Sequence, residues 1–234
     1  MTSTTDGPEE DRPTAETTPS GALAALRTWQ QRRLDAHPHR EIRRAHPKFV
    51  DAVIEDARVA ASFRNERHKF TSRRDGFVQA LRLAVVSDAF GAHMLYRAKA
   101  RMQALGIPAL PRIAHRLAMA SAQICIGDPV VMEPGVYFPH GQVVIDGVTV
   151  IEGGVAIRPW VTIGLKEGDF HGPAVGRNVQ IGTGAKIVGP VRIGKGALIG
   201  ANAVVVSDVP AGATAVGVPA RIVGAAGGRA RRAD

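Results

Sequence analysis

Two histidines interrupt an otherwise aliphatic second half of the chain. His140 lies in Tyr137-Phe138-Pro139-His140-Gly141-Gln142, and His171 lies in LKEGDFHGP, residues 165–173. An imidazole ionises near neutral pH. One ring nitrogen can take a proton from a substrate hydroxyl while a backbone carbonyl holds the other, which suits a general base. By residue type and spacing alone, His140 is equally a surface-turn histidine without a role. Zinc chemistry finds little support. Cys125 is the sole cysteine, which excludes a disulfide framework and a multi-cysteine site. A three-histidine site would have to be completed across a subunit interface, because only His140 and His171 lie in the repeat and His115 precedes it. No metal is expected.

The segment that must position these histidines repeats every six residues. Ile145, Ile151, Ile157 and Ile163 keep one register, and Val175, Ile181, Ile187, Ile193, Ile199 and Val205 continue it. Four positions after most of them stands a small or β-branched residue, such as Val155, Val161, Val179, Ala185, Val191 or Ala197. This period is neither helical nor simple strand alternation. It matches the hexapeptide repeat of a left-handed parallel β-helix, in which three hexads make one triangular coil and the aliphatic positions stack inward. The first hexad positions are Ile126, Met132 and Phe138. The step from Phe138 to Ile145 is seven, so one residue is extra beside His140. The step from Ile163 to Val175 is twelve; its composition favours an extruded loop carrying His171 over a degenerate hexad.

Ahead of the repeat the pattern is helical. Phe49, Val50, Val53, Ile54, Ala57 and Ala60 fall on one face, with Pro47 expected in the first turn. A second helix is expected from about Asp75 to Leu105, ended by Gly106, and a third over about 111–122. The expected fold class is therefore α+β: a 1–20 disordered tail, an all-helical N-terminal domain at 21–122, the β-helix at 123–223 and a basic tail at 224–234. Five acids and one base in residues 1–20 leave a net charge of about +13 on the rest of a +9 chain. Composition nevertheless argues against a nucleic-acid partner: aromatics are 5% and do not alternate with the basic residues. The N-terminal sequence lacks the pattern of a secretory signal and no stretch matches a membrane helix, so a cytoplasmic protein is expected.

Residues 126–224 resemble the serine O-acetyltransferase branch of the hexapeptide acyltransferases, through GVYFPHGQVVI, WVTIG, IGTGAKIVGPVRIG, IGANAVV and GVPARIVG. Ala92-His93-Met94-Leu95-Tyr96-Arg97 resembles the same branch more weakly. The resemblance implies an acetyl-CoA-dependent O-acetyltransferase that acts on serine or a similar small hydroxyl acceptor. It also implies a homotrimer, with or without pairing into hexamers, and a donor lying in the groove between subunits. His140 matches the family's base, and His171 is the nearest match to a second histidine that helps bind the acceptor. Cofactor-binding candidates by resemblance are Gly164, Gly182, Thr183, Ala185, Gly200 and Ala201, with phosphate charge assigned to Lys186, Arg221 or the 229–232 RARR segment. Two carboxylates of the family pattern are replaced, by Pro139 and Cys125. The imidazole would then need another partner, such as Asp128, Glu133 or a main-chain carbonyl. Cys125 is expected to be a packing residue that also has the option of contacting the imidazole. Trp160 is expected to face outward, lining either the acceptor pocket or a subunit contact. The alternatives kept open are a sugar or amine acceptor, and a non-catalytic trimeric scaffold.

Overall fold

A computed structural model describes Ile42 and residues 45–224. The expectations for the 1–20 tail, for most of 21–44 and for the segment after Gly224 lie outside the described residues. Four helices lie wholly among the described residues: α1 (Phe49–Phe63), α2 (Arg73–Val86), α3 (Asp88–Ala104) and α4 (Leu110–Ala122). On α1 the expected face is buried at Val53, Ile54, Ala57 and Ala60. Pro47 falls before the Lys48 cap rather than inside the first turn.

The single helix expected over 75–105 is two helices. Ser87 is extended, at φ −138° and ψ 108°, and its hydroxyl accepts the Phe90 N–H. A serine that caps the next segment competes with continued helix, and Asp88 then favours the new N-terminus. Gly91 permits the resulting close approach, since a Cβ there would lie 2.9 Å from the Ala84 carbonyl oxygen. Gly106 ends α3 as expected, in the left-handed conformation at φ 71°.

Among the described residues fourteen short strands follow, and the chain visits three sheets in turn. The first sheet orders β1 (Ile124–Ile126), β3 (Val143–Ile145), β6 (Thr162–Gly164), β9 (Lys186–Val188) and β12 (Val204–Val205). The second contains β2 (Val131–Met132), β4 (Val148–Ile151), β7 (His171–Val175) and β10 (Arg192–Ile193). The third contains β5 (Ala156–Ile157), β8 (Gln180–Ile181), β11 (Leu198–Ile199), β13 (Thr214–Val216) and β14 (Arg221–Gly224). All pairings are parallel except β13 with β14.

The register accounts for both breaks in the repeat. Ile145 pairs with Ile163, 18 residues on, and Ile187 with Val205, which is one coil of three hexads. Ile126 pairs with Ile145 at a separation of 19, so the extra residue before Val143 is accommodated at the His140 corner. Ile163 pairs with Ile187, 24 residues on, so six residues leave the stack as a loop. The Ile145–Ile163–Ile187 column is fully buried, as are Ile151, Ile157 and Ile181. Each such side chain contributes about 1.5–3 kcal/mol by burial.

The first coil has no coil before it, and the helices take that place. Tyr96 Oη donates to the Val130 carbonyl at 2.8 Å. Arg97 donates to the carbonyls of Met132 (2.6 Å) and Glu133 (2.7 Å) and pairs with Asp56 at 2.9 Å. Asp56 in turn accepts the Gly135 N–H at 2.7 Å. Lys99, 2% exposed, donates to the Ile126 carbonyl at 2.6 Å and to Asp128 at 2.9 Å. An unpaired solenoid edge is a template for further strand addition, and these side chains satisfy it.

His93 sits inside this junction, 2% exposed, with Nε2 3.6 Å from Asp56. Burial holds its pKa down from 6.5 to about 4, with Arg97 adding repulsion against the pull of Asp56. The unfolded chain therefore takes up a proton near pH 6.5 that the folded chain refuses until about pH 4. Stability is full above that window, falls through it on acidification and is flat in this contribution below it, by about 3 kcal/mol in all. Urea unfolding of wild type and His93→Gln at pH 7 and 4.5 is expected to show a smaller pH dependence in the variant.

Candidate active site

Four successive corners between the third and first sheets stack into one edge. The Trp160 N–H donates to the Gln142 carbonyl (2.8 Å), Gly184 to Pro159 (2.9 Å) and Asn202 to Thr183 (2.9 Å). Gln142, Trp160, Gly184 and Asn202 are all left-handed, with φ between 56° and 76°. Strands stack at about 4.8 Å, so this edge extends some 15 Å. It brings together His140, Gly182, Thr183, Gly200 and Ala201. Gly164 and His171 lie at the other edge of the first sheet, where the six-residue loop leaves. Within one chain, therefore, His140 and His171 occupy different corners.

His140 is exposed and opens into a cleft of about 370 Å³ between its corner and the helices. The cleft is walled by Pro139, Gln142, Ser121 and Gln123, and its charged groups are Arg64 and Asp88. The sequence reading missed both. The signal for Asp88 was the Ser87-Asp88 pair, which a continuous helix concealed. Arg64 spends its Nε on Glu66 (2.7 Å), a carboxylate shared with Arg82 (2.8 Å). The carboxylates expected to support His140 are engaged elsewhere: Asp128 with Lys99, and Glu133 with Arg177 and the Gly153 N–H. Cys125 lies within β1, half-buried and opposite Val144, and burial pushes its thiol pKa up.

The histidine with a carboxylate at its ring is His171. Asp169 Oδ1 stands 2.6 Å from His171 Nδ1 and also accepts the His171 N–H at 2.8 Å. The Phe170 ring stacks on it at 4.5 Å. This pairing fixes the tautomer with the proton on Nδ1 and the basic lone pair on Nε2.

The cofactor candidates divide by what their backbones do. The Gly182 N–H is bonded to Ile199, that of Gly200 to Ala215 and that of Ala185 to Gly182. Their amides are therefore not available to a pantetheine arm. The Ala185 side chain is fully buried in the core, because its hexad position points inward. A Cβ on Gly182 would lie 2.6 Å from the Ala201 nitrogen, so this glycine serves coil stacking. Thr183 and Ala201 are exposed, and their N–H groups make no hydrogen bond among the described residues. A Cβ on Gly164 would meet open space. Lys186 Nζ donates to the Trp160 carbonyl at 2.5 Å, while Arg221 is exposed on β14 at the far end of the solenoid. A larger hollow of about 560 Å³ lies on the second sheet, lined by Glu152, Ala174, Arg192, Lys195 and Asp208; it contains neither histidine. Among the described residues no cluster of three metal-ligating side chains occurs, and no helix is long and apolar enough to cross a membrane.

The bacterial transferase hexapeptide (six repeats) family matches residues 172–207. A serine acetyltransferase of Synechococcus elongatus is 31% identical over 169 residues, which cover 70% of this chain and 67% of that protein. The chain belongs to the serine acetyltransferase family. The Haemophilus influenzae member is 50% identical over 93 residues, 38% of this chain; the match spans only about a third of that protein, 34%. Solved relatives agree over a longer span. A serine acetyltransferase in complex with CoA superposes with TM-score 0.63 at 28% identity, covering 89% of this chain and 86% of that one. Another, in complex with cysteine, gives 0.64 at 26%, covering 90% and 86%.

Gly141 sets how this family's helices meet the histidine corner in the present chain. A Cβ there would sit 1.7 Å from the Ala122 carbonyl oxygen, which accepts the Gln142 N–H at 2.9 Å. Gly141→Ala is expected to force α4 away from the corner, lowering stability by about 1–3 kcal/mol. Thermal unfolding checks this.

Proposed function

We propose that the protein is an acetyl-CoA-dependent O-acetyltransferase whose acceptor is the hydroxyl of serine or a closely similar small molecule, with His140 as the base. The observation that carries the reading is the single edge that aligns an exposed histidine with the uncommitted amides of Thr183 and Ala201, in a chain of the serine acetyltransferase family. The donor would lie along that edge with its thioester at His140 and its nucleotide end toward Arg221. No metal takes part in this mechanism.

His140 removes the hydroxyl proton as the oxygen attacks the thioester carbonyl, forming a tetrahedral oxyanion. Backbone amides at the edge stabilise that charge. Collapse releases the CoA thiolate, which recovers the proton from the imidazolium. Serine is a zwitterion, and the cleft offers one guanidinium, Arg64, and one carboxylate, Asp88, as counter-charges. The solenoid is read as left-handed and the assembly as a trimer, with the His171 loop of one subunit completing the cleft of the next. The exposed Val144, Leu165 and Phe170 support such a contact. A reducing, cytoplasmic setting and a product that enters cysteine synthesis accord with the family.

CoA-thiol release from acetyl-CoA, with L-serine, homoserine, sugars and amines offered separately, tests this. His140→Ala is expected to lose about 10²–10⁴-fold in acceptor-dependent rate; an unchanged rate would remove His140 as base. Acceptor recognition has its own signature. Arg64→Gln is expected to raise KM for serine and 3-hydroxypropionate by about tenfold or more while sparing ethanolamine. Asp88→Asn should do so for serine and ethanolamine while sparing 3-hydroxypropionate.

A further inference from the structure

Trp160 occupies a position that its residue type disfavours. Its φ is 65°, the left-handed region, where side chains other than those of Gly, Asn and Asp cost on the order of 1 kcal/mol or more. The equivalent corners one and two coils on carry Gly184 and Asn202, the residues that geometry favours. The backbone is fixed on both sides, by the N–H bond to Gln142 at 2.8 Å and the Lys186 ammonium on its carbonyl at 2.5 Å. The indole itself is 58% exposed, and its N–H makes no hydrogen bond among the described residues. A rigid, strained backbone that holds a large aromatic side chain in solvent gains nothing in folding from that side chain.

Its place supplies the reason. Along the edge, Trp160 stands between the His140 corner and the corner bearing Thr183, whose amide is uncommitted. Anything that reaches along the edge from those amides to the histidine must pass the Trp160 corner. A pantetheine arm is narrow and largely apolar, with amides at intervals, and an indole offers it a flat apolar face and one N–H donor.

We propose that Trp160 is a donor-binding residue, forming the wall against which the acyl-pantetheine end of the CoA thioester lies on its way to His140. This rests on the proposed function, in that a CoA thioester uses the edge, and adds the residue that holds its reactive end.

The chain has two tryptophans, so Trp29→Phe leaves Trp160 as the only indole. In that background, CoA is expected to give a saturable change in indole emission, and S-acetylpantetheine, which lacks the nucleotide, should reproduce it. Trp160→Asn, at a conformation asparagine tolerates, should leave the melting temperature unchanged or higher. It should raise KM for acetyl-CoA about tenfold with little change in acceptor KM. Saturable CoA binding by calorimetry without any emission change, or a shift in acceptor KM instead of donor KM, would overturn the proposal while leaving the transferase reading intact. A subunit contact would show as emission that follows protein dilution and ignores CoA, which also overturns it. Absence of CoA binding in calorimetry would remove the underlying reading as well.

Discussion

Everything at the candidate site depends on the inter-coil register of the aliphatic ladder. Ile145, Ile163 and Ile187 are stacked at a spacing the backbone hydrogen bonds impose, and a one-residue slip would turn each outward. Because the interior columns are locked, the corners are locked too. Residues far apart in sequence, such as Gln142, Trp160, Thr183 and Asn202, then fall on one line without needing side-chain contacts of their own. Irregularity is tolerated only where it leaves the stack, and both such places adjoin a histidine: His140 at its corner and His171 as the first residue of β7. The histidines stand at or beside the corners because the aliphatic core leaves them nowhere else.

The second constraint is the unpaired first coil. Tyr96, Arg97 and Lys99 close it by donating to strand carbonyls, and Asp56 balances Arg97 while taking the Gly135 N–H. Burying these charges is tolerable only because each is hydrogen-bonded; truncating one partner would leave the other charge unpaired. The same packing brings the end of α4 against Gly141 and the Ser87 break against the histidine cleft. The helical segment thus supplies Arg64 and Asp88 to the cleft onto which the solenoid's His140 opens.

How far the sequence could be read follows from what each feature depends on. The hexad period reports a backbone repeat, so the three-sheet stack, the extra residue near His140 and the extruded loop were all legible. Inward and outward positions were less so, since Ala185 reads as a small groove residue but occupies a core position. The break at Ser87 was hidden because neither glycine nor proline marks it; the cap hydrogen bond decides it. Arg64 and Asp88 were missed because tertiary packing, not spacing, brings them to His140. The amides of Thr183 and Ala201 could not be told from those of Gly182 and Gly200, because which amides the coil ladder consumes is a property of the register. Asp169 stood two residues before His171 in plain view, but a carboxylate in a charged loop has no distinguishing pattern.

The most direct test of the central claim is a crystal structure of the protein with CoA. The thiol is expected beside His140, the pantetheine passing Trp160 and bonded to the amides of Thr183 or Ala201, and the nucleotide toward Arg221. CoA lying instead in the hollow of the second sheet, against Glu152, Arg192 and Asp208, would contradict it.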